Sequence, residues 1–380
     1  MITKNKTNNY IMPTYGRFDV QLKKGKGTTA TDESGKEYID FTSGIGVNTF
    51  GFSDKEWANA VGEQLCSLQH SSNLYYTAPS ANLAEKLCTA TGYAKAFFAN
   101  SGAEANECAI KLARKAFYDK TGKSGNIITM KGSFHGRTLA TLTATGQDKL
   151  HPDAFAPYPA GFIYADSLAH AESLIDDNTA AVMLEFVKGE GGVLPLDKAE
   201  VQSLAKTGVT IIADEVQTGT GRTGKFLAAE HYEIKPQITT LAKGLGGGLP
   251  IGVCLAATEL ADTLSAGFHG ATFGANPAVC AGADNVLGRI LADGFLKEVE
   301  EKGEYIKAKL SAMPKVKSVR GLGLMIGIDT IEGTAREIAE KCAESGLLVL
   351  TANTSVRFLP PLNIGYEEID KGLKIFESVI

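Results

Sequence analysis

At 380 residues, with 44% hydrophobic and 21% charged residues, the chain has an ordinary globular composition and enough length for more than one core. A net charge of −5 without any basic stripe argues against nucleic acid or another polyanion as partner. Six scattered cysteines, with no CxxC pair and no nearby His at ligand spacing, predict reduced structural thiols and no metal site; the polar start MITKNKTNNY and the absence of any run near ~18 apolar residues predict a soluble, cytoplasmic protein with no membrane partner.

The first 50 residues, ending in YIDFTSGIGVN, read as an arm or partial small domain. Residues 51–265 read as a large domain in which short apolar runs alternate with helical patterns. AFFAN (96–100), NIITM (126–130), GFIYA (161–165), AAVMLEFV (180–187), VTIIADEV (209–216), PQITT before residue 241 and IGVCLAA (251–257) are the expected strands. Between the first two of these, Ala105, Cys108, Ala109, Leu112, Ala113 and Ala116 recur at helical spacing. Such alternation predicts an α/β fold, a mainly parallel sheet covered by helices, with ligands at the loops beyond the strand ends. Residues 266–380 read as a smaller α+β domain, with strands in VKSVRGLGLMIGID, GLLVL and SVRFLPP and a closing helix that aligns Ile369, Leu373, Phe376 and Ile380.

The motifs lie where apolar runs end. NSGAEANE opens a helix with Ser101 and Glu104 spaced as a capping box, and Gly102 allows a ligand to approach backbone N–H groups; a helix start of this kind attracts an anion, though a capped helix that binds nothing would read alike. Asp214 follows a run too apolar to welcome a lone carboxylate and requires a cation or strong donor, either a metal or a protonated ring nitrogen. No His or Cys cluster supports the metal. Lys243 stands directly ahead of a glycine run, in TLAKGLGGGLP, and a lysine in a desolvated pocket can lose its proton and form a Schiff base with a carbonyl. Phosphate site, aromatic Phe134, buried acid and lysine together are what pyridoxal 5'-phosphate requires. A nicotinamide dehydrogenase is disfavoured, because the first strand–helix unit carries no G-x-G-x-x-G.

In this order NSGAEANE, FHGRTL, GEGGV, DEVQTGTGRTG, AKGLGGGLPIG, HGATFGANP and RFLPPL resemble the class III, fold type I pyridoxal-phosphate aminotransferases, from about Tyr15 to the C-terminus. Within that class, FHGRTL, LGGGLPIG and the compact length look most like the acetylornithine aminotransferases of arginine biosynthesis. The resemblance implies an aminotransferase that uses acetylornithine and 2-oxoglutarate/glutamate; ornithine, succinylornithine or 4-aminobutyrate as donor, or a non-catalytic pyridoxal-phosphate-binding protein, are the alternatives.

Carried over by residue, the resemblance makes Lys243 the Schiff-base lysine and proton carrier, and Asp214 the partner of the pyridine nitrogen. It places Val216 and Phe134 on the two faces of the ring, Gln217 at the phenolic oxygen, and Ser101, Gly102 and Ala103 at the phosphate. Thr272 is expected to reach the phosphate of a neighbouring subunit, which implies a homodimer with shared sites. Arg137, with Tyr15 beside it, is expected to hold the substrate carboxylate remote from the amine; Arg357 is expected to hold the α-carboxylate of glutamate and otherwise to pair with Glu185. Phe186, Lys188 and Ala271 depart from the common proline, glutamine and serine.

Overall fold

The computed structural model describes residues 2–380, and a seven-stranded sheet forms its centre. Its strands are β4 (Lys95–Ala99), β5 (Asn126–Met130), β6 (Phe162–Ala165), β7 (Thr179–Leu184), β8 (Ile211–Asp214), β9 (Ile238–Leu241) and β10 (Gly252–Ala256), which follow the N-terminal strands β1 (Leu22–Lys26), β2 (Thr29–Asp32) and β3 (Glu37–Asp40). The spatial order is β4-β10-β9-β8-β7-β5-β6. Neighbours from β9 to β6 run parallel, whereas β10 is antiparallel to both β9 and β4. Every residue of β7, β8, β9 and β10 is buried, as expected of strands covered on both faces.

Three of the long helices matter for the site: α1 (Lys55–Ser67), α2 (Gly102–Thr121) and α3 (Pro277–Ile290). On α2 the predicted stripe is buried at Ala105, Cys108, Ala109, Leu112 and Ala113. The C-terminal part adds β11 (Val316–Leu322), β12 (Met325–Thr330), β13 (Leu347–Leu348), β14 (Leu350–Ala352), β15 (Ser355–Phe358) and the closing helix α4 (Tyr366–Val379). Strands β11, β12, β15 and β14 make one sheet, and β13 joins β1, β2 and β3 in another through parallel pairing of Leu347 with Ile39. The N-terminal arm thus pairs with the C-terminal part, and Phe41, Phe358 and Phe376 pack edge to face between them at 5.0 and 5.1 Å.

After β3 the chain makes a left-handed turn, with φ of 48°, 61°, 66° and 73° from Ser43 to Gly46. Ile45 in this region costs about 1–2 kcal/mol. The turn is held because Asp40 accepts the N–H groups of Thr42 and Ser43, and the Ser43 hydroxyl donates to the Leu359 carbonyl at 2.6 Å. It delivers Val47 to the wall of the cavity described next and Thr49 to the Gly244 carbonyl.

Among the described residues no helix is long and apolar enough to cross a membrane, and no cluster of His, Cys, Asp and Glu is arranged to hold a metal ion.

Candidate active site

A cavity of about 490 Å³ opens beyond the C-terminal ends of the parallel strands, and it gathers ten of the residues singled out in the sequence: Ser101, Gly102, Ala103, Phe134, Arg137, Glu185, Asp214, Val216, Gln217 and Lys243. All but Arg137 lie within four residues of a strand's C-terminal end, which is why separated motifs converge. At one end Ser101 caps α2 by accepting the Glu104 N–H at 3.2 Å. The Glu104 carboxylate reaches back to the Asn100 N–H at 2.6 Å, one residue earlier than an ordinary capping box. The first N–H groups of α2 have no intrahelical acceptor and suit an anion.

The fit there is close. A Cβ at Gly102 would lie 2.6 Å from a Val216 methyl, and one at Gly252 on β10 would lie 2.0 Å from the Ser101 carbonyl oxygen. Gly252→Ala should therefore push the Ser101–Ala103 segment out of place and cost about 1–3 kcal/mol of stability. A melting temperature equal to that of the parent would contradict this packing.

Asp214, buried at the end of β8, has both oxygens engaged. Its Oδ2 accepts from Asn106 Nδ2 at 2.8 Å and lies 2.7 Å from His135 Nδ1; its Oδ1 accepts the Val216 N–H at 3.0 Å. Asn106 is itself fixed by the Thr240 hydroxyl at 2.7 Å and donates to the His135 carbonyl. The sequence reading missed His135 and Asn106. Asn106 lies one helical turn beyond Gly102, a spacing that could have placed it on the site face.

Lys243 follows β9 with φ of 42°, a left-handed conformation for a non-glycine residue. Loss of water around its ammonium, and then the charge of Arg357, lower its basicity from the ordinary lysine value. Arg357, buried on β15, donates through Nη1 to Glu190 Oε1 at 2.7 Å and to Gln217 Oε1 at 2.9 Å, while its Nε is buried without a partner.

The expected Glu185–Arg357 pair is not formed. Glu185 turns instead to the backbone N–H groups of Phe134 at 2.9 Å and Gly189 at 3.4 Å. Burial pushes its carboxyl up to about 7, opposed by the nearby His135. Glu190, five residues on and within the GEGGV motif, takes the arginine. Two further expectations fall outside this cavity. Tyr15 is 74% exposed and does not line it beside Arg137. Thr272 lines a separate surface cleft with Asn73, Leu74 and His269. Of the departures from the common pattern, Phe186 is fully buried and stacks on Tyr232 at 4.9 Å, and Lys188 donates to the Lys131 carbonyl at 3.3 Å.

A sheet of this topology with lysine, acid and helix start at its strand ends defines an enzyme site, and the chain belongs to the class III aminotransferases, whose family model it matches over residues 10–380. It is 49% identical to an acetylornithine aminotransferase of Haemophilus ducreyi, over 98% of this chain and 96% of that one. An N-acetylornithine aminotransferase structure from Stenotrophomonas maltophilia superposes with a TM-score of 0.84 at 34% identity, covering 100% of this chain and 98% of that one. An ornithine aminotransferase structure from Toxoplasma gondii, with PLP at partial occupancy in its active site, superposes with a TM-score of 0.93 at 29% identity, covering 99% and 94%.

The residues present fit pyridoxal phosphate. The cavity pairs a helix start closed down by Gly102 with a buried carboxylate and an amine of lowered basicity.

Proposed function

We propose that the chain is a pyridoxal-phosphate-dependent transaminase that moves the terminal amino group of N2-acetyl-L-ornithine to 2-oxoglutarate, giving N-acetylglutamate 5-semialdehyde and glutamate. The observation that carries this reading is the pair of buried Arg357 with half-buried Glu190 in reach of the Lys243 cavity. A site for one amino donor needs one carboxylate receptor; a site for a terminal amine and for glutamate must mask the arginine that reads the α-carboxylate. Glu190 is that mask.

Ser101, Gly102 and Ala103 would hold the phosphate, Phe134 and Val216 the ring, and Asp214 the ring nitrogen. Gln217, with its carbonyl oxygen committed to Arg357, has an amide NH₂ to offer the phenolic oxygen. When bound, the cofactor supplies an electron-poor ring that accepts the negative charge left when a substrate carbon loses its proton. Lys243 takes that proton and returns it, and its lowered basicity makes it easier for the amine to be neutral and act as a base. Arg137 holds the carboxylate remote from the amine in both half-reactions. With acetylornithine bound, Glu190 stays on Arg357. With glutamate bound, Glu190 gives way and the α-carboxylate takes its place on the guanidinium.

Single-turnover spectra of the two half-reactions test this. Arg357→Ala should slow the glutamate half by about 10- to 100-fold, the scale of one charged hydrogen bond, and leave the acetylornithine half within a few-fold. Glu190→Gln should shift preference toward glutamate, and Arg137→Ala should slow both halves. Equal losses for Arg357→Ala would refute the mask. Turnover compared on acetylornithine, ornithine, succinylornithine and 4-aminobutyrate tests the donor. The place of Thr272, on a surface cleft apart from the Gly102 loop, favours a homodimer in which it serves the partner's phosphate; sedimentation of an active monomer would refute that.

A further inference from the structure

Lys243 begins one turn of helix, Lys243–Gly246, whose backbone is held from outside by two side chains that the sequence reading did not consider. The Thr49 hydroxyl, delivered by the left-handed turn, donates to the Gly244 carbonyl at 2.6 Å, and Thr49 is buried. The Trp57 indole N–H donates to the Gly246 carbonyl at 3.1 Å. Trp57 is the only tryptophan in the chain. Its indole lies in a slot cut by glycines: a Cβ at Gly247 or Gly282 would come within 2.9 Å of the indole nitrogen, and one at Gly248 within 3.5 Å of the ring. The residue is anchored in turn, since Asp54 caps α1 by accepting the Trp57 N–H at 2.9 Å and is clamped by Arg289 at 2.7 and 3.1 Å.

We propose that Thr49 and Trp57 are positioning residues for Lys243, holding its turn in the left-handed start that keeps the amine in the cavity. A lysine at φ of 42° is disfavoured by its own backbone and persists only where its surroundings impose it. The two donors grip carbonyls one and three residues beyond Lys243, on the stretch that must stay in place for the amine to do so. The glycine run after Lys243 therefore admits the indole as well as clearing room for a ligand. This inference rests on Lys243 being the proton carrier.

The test uses Thr49→Val, which keeps shape and drops the hydroxyl, and Trp57→Phe, which keeps an aromatic ring and drops the N–H. In the cofactor-free full chain, acetic anhydride labelling across pH, read at Lys243 by peptide mass, gives the midpoint of that amine. The midpoint should rise toward the ordinary 10.5 in both variants, as the released turn lets the amine meet water. In the loaded enzyme kcat should fall about 3- to 10-fold, the scale of one hydrogen bond, with KM within twofold. If Trp57→Phe fails to fold, Thr49→Val alone carries the test. An unmoved labelling midpoint with kcat within twofold of the parent overturns the inference, even if the melting temperature falls. Retained turnover in Lys243→Ala would instead overturn the reading on which it rests.

Discussion

Lys243→Ala should abolish transamination while leaving a folded chain that still takes up cofactor through the phosphate loop. Loss of proton transfer alone costs about 10²- to 10⁴-fold, and loss of the covalent attachment adds to it. Folding should survive because Lys243 donates none of the hydrogen bonds that fix its loop; Thr49 and Trp57 make those. Its buried amine should also reveal itself in stability. The folded form of Lys243 has a lowered pKa, so between that value and the unfolded 10.5 the unfolded chain binds more protons. The cofactor-free parent therefore gains stability from this residue as pH rises through that window. Lys243→Met, which keeps the bulk of the stem, removes the dependence. Its melting temperature relative to the parent should be most favourable below the folded pKa and least favourable toward pH 10.5. Near-normal turnover in Lys243→Ala, or a Met-minus-parent difference that is flat with pH, would count against the assignment.

The strand ends were legible because apolar runs announce themselves and the α/β rule puts chemistry beyond them. NIITM is β5 residue for residue, and IIAD and PQITT lead into Asp214 and Lys243 as read. The reversed direction of β10 was not legible, since periodicity carries no strand direction. Nor was the Ser43–Gly46 turn, where two residues with side chains adopt a conformation that their types disfavour. The acid beside Arg357 was not legible for a related reason: the resemblance placed Glu185 there, and a sequence does not show how the bend after β7 turns each acid. What decides the matter is which backbone N–H groups the intervening bend offers: Phe134 and Gly189 claim Glu185, and Glu190 is left for the arginine. Likewise His135 and Asn106 become meaningful only when the loop after β5 and the N-terminal part of α2 meet Asp214 at the end of β8.

Asp214→Asn should slow proton removal in both half-reactions alike. The parent carboxylate takes Asn106 and His135 on one oxygen and the Val216 N–H on the other, and it is hydrogen-bonded by no lysine or arginine of the chain. An anion buried to this degree calls for a cation or strong donors; His135 Nδ1 at 2.7 Å is one, and on the proposed function a protonated ring nitrogen would be another. An asparagine here has one acceptor oxygen where three donors converge, so its NH₂ must oppose either the Val216 N–H or the Asn106–His135 pair. Loss of one charged hydrogen bond accounts for about 10- to 100-fold, and displacement of the side chain by the opposed donors adds to that. Asp214→Glu keeps charge and acceptors at the expense of one extra methylene in a packed site, so its loss should be smaller. On the proposed function Asp214 would serve the cofactor ring in both half-reactions, so the ratio of the two half-reaction rates should stay near that of the parent, unlike the split expected for Arg357→Ala. Single-turnover rates for Asp214→Asn within threefold of the parent in both halves would remove Asp214 from the chemistry and leave it a structural acid.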